Sequence, residues 1–206
     1  MDKDFWLAKW RTNEIGFHQA QPHRSLELYW PLLDLPPGSR VFVPLAGKSP
    51  DLLWLAAAGH QVVGIELSPL AVAQFKSENA GPLLASIDLR CGDIFDLTPA
   101  SLGPIAGIFD RASLVALPPV MRQRYVAQLA RLAEPGTQTL LVTLEYDASR
   151  MAGPPHSVDS AEVTALYGAT HRIEPRARNE QVDDFPKFQA RGLDRLAEVT
   201  YRLIRR

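Results

Sequence analysis

Residues 41–68, VFVPLAGKSPDLLWLAAAGHQVVGIELS, constrain the fold more than any other stretch of the chain. They read as a buried strand (Val41–Pro44), a tight turn (Leu45–Ser49), an amphipathic helix (Pro50–Ala58) and a second apolar strand (Gln61–Ile65) that ends on Glu66. Nucleotide-like cofactors use this order of strand, turn, helix, strand and acid. The turn and helix N-terminus face the polar middle of the ligand, and an acid about 20 residues further on accepts hydrogen bonds from ribose hydroxyls. Gly47 and Glu66 stand at that spacing. The glycines argue against a dinucleotide. A G-x-G-x-x-G turn lets the backbone approach a pyrophosphate at several points, and this turn offers only Gly47. An adenosine cofactor without phosphates fits better, and S-adenosylmethionine is the commonest of these. A purely structural α/β unit would carry the same pattern.

Size and charge narrow the classes. A chain of 206 residues predicts one domain with a substantial core, and 46% hydrophobic with 22% charged residues is ordinary for a globular protein. A net charge of −1 argues against nucleic acid as the main partner. The single cysteine, Cys91, excludes an internal disulfide and is compatible with a reducing cytoplasm. It follows the alternating run Ile87–Leu89 and is expected to be a buried core thiol. The start, MDKDFWLAKW, mixes acids with bases and holds no long apolar run, so no signal peptide is expected. Nor does any window read as a membrane span. The expectation is a cytoplasmic protein, with a monomer as the default.

Beyond the opening unit the pattern continues. A helix-and-loop segment rich in aromatics covers Asp4–Gln19, and a helix runs from about Arg24 to Leu33, closed by Pro36-Pro37-Gly38. Ser68 and Pro69 suit the N-cap and first position of a helix reaching Asn79. Strands are expected at Ser86–Cys91, Ala106–Asp110 and Thr137–Leu144, with a helix at Pro119–Leu132 whose apolar stripe is Val120, Tyr125, Leu129 and Leu132. A helix at Ser160–Tyr167 and closing strands near Thr170–Glu174 and Leu196–Leu203 complete the chain, the last one antiparallel. The alternation implies βαβ units, hence an α/β fold with a doubly wound, mainly parallel sheet. In such sheets ligands bind at the carboxyl ends of the strands. That brings Leu45–Lys48, Glu66, Asp93–Ile94, Asp110–Arg111 and Glu145–Tyr146 to one edge.

Several of these residues carry chemistry. Glu66 ends an apolar strand, where an unpaired carboxylate is costly, so it needs a partner: ribose hydroxyls, or a cap for the helix at Pro69. Asp93-Ile94 ends the third strand, where a carboxylate meets an adenine amino group and an apolar side chain lies on the ring; a simple turn acid is the other reading. Asp110-Arg111 sets two opposite charges directly after an apolar strand. Arg111 offers five donors for a cofactor carboxylate, an anionic nucleophile or a neighbouring acid. Trp6 and Trp10 share one helix face, either closing over a sulfonium or plugging the sheet. Gly153-Pro154-Pro155-His156 is a rigid turn able to wall a substrate pocket. Histidine spacing shows no metal site, and Leu45-Ala46-Gly47-Lys48-Ser49 is no P-loop because Phe42 occupies the place of its first glycine.

The blocks FWLAKW (Phe5–Trp10), GFHQ (Gly16–Gln19), VFVPLAGKS (Val41–Ser49), VVGIELS (Val62–Ser68), CGDIFDL (Cys91–Leu97), FDRASLVALPP (Phe109–Pro119), LEYD (Leu144–Asp147) and GPP (Gly153–Pro155) run almost end to end. Together they resemble the thiopurine S-methyltransferase family, bacterial members above all. The resemblance implies a class I S-adenosylmethionine-dependent methyltransferase: a Rossmann-like seven-stranded sheet in one domain, residues 1–206, with residues 1–35 as an N-terminal cap. It implies cofactor contacts from Trp10, Leu45, Glu66, Ile94 and Arg111, with Trp6 and Asp93 on the same surface and Phe17 as an aromatic substrate contact. By position, Gly47 is expected to join the cofactor contacts, and His18 and His156 the substrate surface. Three departures stand out: PLAG replaces the usual PLCG, the segment between Phe75 and Ile87 is short, and His156 takes the place of an aromatic. The implied reaction moves a methyl group to a thiol, or to a selenium or tellurium analogue, in the manner of a detoxifying enzyme. Arg111 would stabilise an anionic acceptor, and Asp110 would orient Arg111 or accept a proton. The rival readings are a halide or small-thiol methyltransferase of the same superfamily, a nicotinamide-dependent oxidoreductase, and a catalytically silent binding protein that has kept the fold.

Overall fold

The computed structural model describes residues 3–180 and 186–206. Apolar strands able to bury both faces take the middle of its sheet, as parallel packing between helix layers requires. β1 (Arg40–Val43), β2 (Gln61–Glu66) and β4 (Gly107–Arg111) are buried along nearly their whole length. With β3 (Ile87–Cys91), β5 (Gln138–Glu145), β6 (His171–Glu180) and β7 (Ala197–Arg205) they form one seven-stranded sheet in the order β3-β2-β1-β4-β5-β7-β6. The first five strands are parallel, and β7 runs antiparallel between β5 and β6.

Strand alternation sends neighbouring residues to opposite faces. Val41, Val43, Val62, Phe109 and Val142 pack with Leu26 and Trp30 from the 24–33 segment, and with residues of α3 (Asp51–Ala57) and α4 (Pro69–Glu78). Phe42, Val63, Ile108 and Leu141 pack on the other face against α6 (Pro119–Leu132) and α7 (Ser160–Tyr167). Helices therefore cover both faces. α1 (Lys3–Arg11), α2 (Arg24–Tyr29), α5 (Pro99–Leu102) and α8 (Pro186–Gln189) complete the order. Because β1 is flanked by β2 on one side and β4 on the other, the chain reverses its winding there and leaves a crevice at the strands' carboxyl ends.

Most elements lie within a residue or two of the sequence reading, and Ser68 caps α4 as expected, its Oγ accepting from the Ala71 N–H. Some details differ. The expected helix from Arg24 to Leu33 splits into α2 and a 3-10 turn at Trp30–Leu33, because Pro31 lacks the N–H that α geometry would use. Val120 leaves the apolar stripe of α6: it lies in the first turn and is 88% exposed, while Tyr125, Val126, Leu129 and Leu132 form the buried face. Cys91 is not a core thiol but exposed, since it ends an edge strand. β6 extends to Glu180, paired with β7 through an irregularity between Pro175 and Ala177. Among the described residues no helix is long and apolar enough to cross a membrane.

Candidate active site

A cleft of about 980 Å³ opens over the carboxyl ends of the central strands. Its first wall is the turn after β1. Leu45 and Gly47 both take positive φ, 45° and 56°. For a leucine this is a strained conformation that only surrounding contacts sustain, a feature that clusters at ligand sites. At Gly47 a Cβ would be strained by the positive φ and would stand 3.3 Å from the Trp10 ring, a tight contact. The turn presents its Gly47 N–H to Glu66, which accepts it at 2.8 Å and accepts the Ser68 N–H at 2.7 Å with its other oxygen. Glu66 thus has the partners its position demanded, and it faces the cleft. Burial pushes its pKa up, with the Ser68 and Gly47 N–H groups acting in opposition.

Beside this wall a small recess is bounded by Leu45, Ile65, Leu67, Gly92, Asp93 and Ile94. Asp93 accepts the Phe95 N–H at 3.0 Å and pairs with Lys3 of α1 at 2.7 Å. Burial alone would raise its pKa, but Lys3 and the Phe95 N–H outweigh that and hold it down. The recess is mostly apolar, with an acid at its edge.

Arg111 and Asp110 are neighbours with different surroundings. Arg111 lines the cleft, and the only hydrogen bond its guanidinium makes among the described residues is a long one, 3.5 Å, to the Phe17 carbonyl. Burial pushes its pKa down, while the charges of Asp51 and Glu198 push it back up. Asp110 points to the α6 face of the sheet. It is fully buried, accepts the Tyr125 Oη–H at 2.8 Å and the Leu114 N–H at 3.4 Å, and burial pushes its pKa up to about 6. It lies outside the cleft lining, so it can neither orient Arg111 nor take a proton from a substrate there. Of the expected pair only Arg111 lines the cleft, because adjacent strand residues face opposite ways.

The N-terminal arm roofs the cleft. Trp6 and Trp10 each meet Phe17 edge-on, at 5.6 and 5.7 Å between ring centres, and all three line the cavity. Trp10 is only 4% exposed and Trp6 is partly buried, and both form cleft wall. His18 lines the cleft too, its pKa lowered by burial and by Lys48 and Arg111.

Opposite stands the Gly153-Pro154-Pro155 turn. His156 does not join it: its N–H donates to the Val115 carbonyl at 2.7 Å, and its ring packs behind Gly153, where a Cβ would collide with it. Glu145 and Tyr146 also stay out, held by Arg178 and by the Pro155 carbonyl. Some lining residues were not anticipated, notably Asp51, Glu198, Val115 and the α8 segment with Lys187, Phe188 and Arg191. Glu198 did leave a signal, an acid inside the apolar run LAEVTY, which is the argument that singled out Glu66.

These features fit S-adenosylmethionine: a backbone-held carboxylate for ribose, an apolar recess with an acid for adenine, aromatic faces for a sulfonium, and a guanidinium for a carboxylate. Comparison with known proteins agrees. The model of the family described as Thiopurine S-methyltransferase (TPMT) matches residues 1–206. A thiopurine S-methyltransferase of Azotobacter vinelandii is 45% identical over 218 residues, covering 100% of both chains. One of Bordetella petrii is 46% identical over 217 residues, covering 100% of this chain and 99% of its own. Among solved structures, 1,6-didemethyltoxoflavin-N1-methyltransferase of Burkholderia thailandensis, with 1,6-didemethyltoxoflavin and S-adenosylhomocysteine bound, has a TM-score of 0.65 at 16% identity, covering 97% of this chain and 86% of its own. The YcgJ protein of Bacillus subtilis has a TM-score of 0.68 at 16% identity, covering 89% and 99%. At such identity the two structures attest the fold alone. The chain belongs to the thiopurine S-methyltransferase family and is an S-adenosylmethionine-dependent S-methyltransferase.

Proposed function

We propose that the enzyme methylates an aromatic, thiopurine-like thiol or its selenium or tellurium analogue. The observation that carries this reading is the composition of the cleft beyond Arg111. Phe17, Val115, Pro154, Pro155 and Phe188 offer apolar and aromatic surface suited to a flat ring, next to a guanidinium suited to an anionic sulfur. When bound, S-adenosylmethionine supplies a methyl group already activated on a sulfonium, whose leaving group is a neutral thioether. The chain then has little covalent chemistry to perform. Glu66 and the 45–49 turn hold the ribose side, and the recess at Asp93–Ile94 takes the adenine. Trp6, Trp10 and Phe17 cover the reacting centre and exclude water, which strengthens the fields acting inside. Arg111 favours the acceptor as its thiolate, so no strong general base is required. In this reading residues 1–206 act as one domain, as a monomer in a reducing cytoplasm.

A panel of acceptors assayed with S-adenosylmethionine tests the proposal. Aromatic thiols and selenols should outrank aliphatic thiols by at least about tenfold in kcat/KM, and halides should give no methylated product. A preference for halide or for small aliphatic thiols would overturn it.

A further inference from the structure

Two buried acids line the cleft and take no part in the contacts described so far. Asp51 opens α3 and Glu198 sits on β7, and they are 3% and 5% exposed. One histidine ties them together. Asp51 accepts the His23 backbone N–H at 2.7 Å and the Ser49 Oγ–H at 2.8 Å. Glu198 accepts the Ser25 Oγ–H at 2.9 Å and faces His23 Nε2 at 3.1 Å. The Ser25 N–H donates to His23 Nδ1 at 3.2 Å, so the ring proton belongs on Nε2, pointing at Glu198. A carboxylate accepts about four hydrogen bonds, and these donors use about half of that capacity.

Arg111 shares the cleft floor with both acids, and its charge acts on them without a hydrogen bond to either. One fixed cation and two fixed anions therefore face the same space, each with capacity left. This is the complement of an α-amino acid, whose carboxylate needs a guanidinium and whose ammonium needs carboxylate oxygens. The only such group in the reaction is the methionine end of the cofactor. It would lie beyond the ribose from Glu66, past Gly47 and Ser49, which leads toward Asp51.

We propose that Asp51 and Glu198 receive the α-ammonium of S-adenosylmethionine while Arg111 takes its carboxylate on one edge of its fork. The other edge of the guanidinium remains for the acceptor. This rests on the cofactor assignment above and extends it to residues outside any motif.

Calorimetry on the whole protein tests it, with S-adenosylhomocysteine and its deaminated analogue as probes. The wild-type protein should bind the deaminated analogue at least about tenfold more weakly, as expected when charge-assisted hydrogen bonds are lost. Glu198→Gln and Asp51→Asn should each weaken S-adenosylhomocysteine by a similar factor yet bind the deaminated analogue as the wild type does, since the partner is already gone. Equal binding of the two probes by wild-type protein would overturn the proposal without any variant. So would a parallel loss for both probes in variants whose thermal melting is unchanged, because the acids would then act through the scaffold. Failure of the wild type to bind S-adenosylmethionine or S-adenosylhomocysteine would instead strike down the cofactor assignment itself.

Discussion

The two halves of the cleft are built by different rules. The half over β1 and β2 comes from one local unit: the 45–49 turn, the helix it opens and the acid at the end of the next strand. Its polar groups are fixed by backbone, as when Glu66 is clamped between the N–H groups of Gly47 and Ser68. The half over β4 and β5 is assembled from segments far apart in sequence: Val115 and Ala116, the Gly153-Pro154-Pro155 turn, and Lys187, Phe188 and Arg191. Its walls are side chains on turns and a short helix. In the proposed reading the first half holds the ribose and adenine of the cofactor, and the second can change acceptor by changing side chains on its turns.

The contrast is sharpest between Asp110 and Arg111, where one residue belongs to the scaffold and the next to the site. The largest expected effect is on the scaffold side. Asp110 has a folded pKa of about 6 against an ordinary 3.8, so the folded state holds a proton that the unfolded state releases between those values. Its stabilising contribution is therefore present below about pH 4 and is lost as pH rises through about 6, a change of about 3 kcal/mol. Urea midpoints for wild type and Asp110→Asn across that range should show wild type losing stability relative to the variant, whose side chain cannot ionise, as pH rises. Identical profiles would mean that Asp110 is not buried as described.

On the site side, Arg111→Ala should raise the KM for cofactor or acceptor by at least about tenfold, roughly 1.4 kcal/mol, while melting stays near wild type. Unchanged kinetics would remove Arg111 from the site. The smallest effect belongs to the arm. Lys3 reaches across to Asp93 from an exposed position, so Lys3→Ala should weaken cofactor binding by at most about fivefold, and less in high salt. A larger loss would make the arm a main determinant of the cofactor half.

This difference in construction also explains what could be read from the chain. The parallel strands were legible because burial on both faces demands continuous apolar runs, and Glu66 because a carboxylate ending such a run needs partners. Leu45, Gly47 and Ile94 followed from turns at strand ends. Asp110 was misplaced because a dipeptide at a strand end does not declare which face each residue takes. His156 was misplaced because its position depends on the fold of its own turn behind Gly153. Asp51, Glu198 and the α8 residues went unseen because they meet the cleft only through tertiary packing. Val120 and Cys91 show the same limit at element ends, where periodicity no longer controls exposure.

The central claim, that one cleft holds two separately built halves, is tested most directly by a crossed measurement. Cofactor Kd by calorimetry and acceptor KM by methyl transfer are determined for Glu66→Ala and for Ala116→Phe, the latter filling the acceptor half. Glu66→Ala should weaken cofactor binding by about ten- to hundredfold, the range for losing hydrogen bonds to a charged group, and leave the acceptor KM within about twofold. Ala116→Phe should raise the acceptor KM by at least about tenfold and leave cofactor Kd within about twofold. If each substitution moves both constants by the same factor, the cleft is one undivided site and the account is wrong.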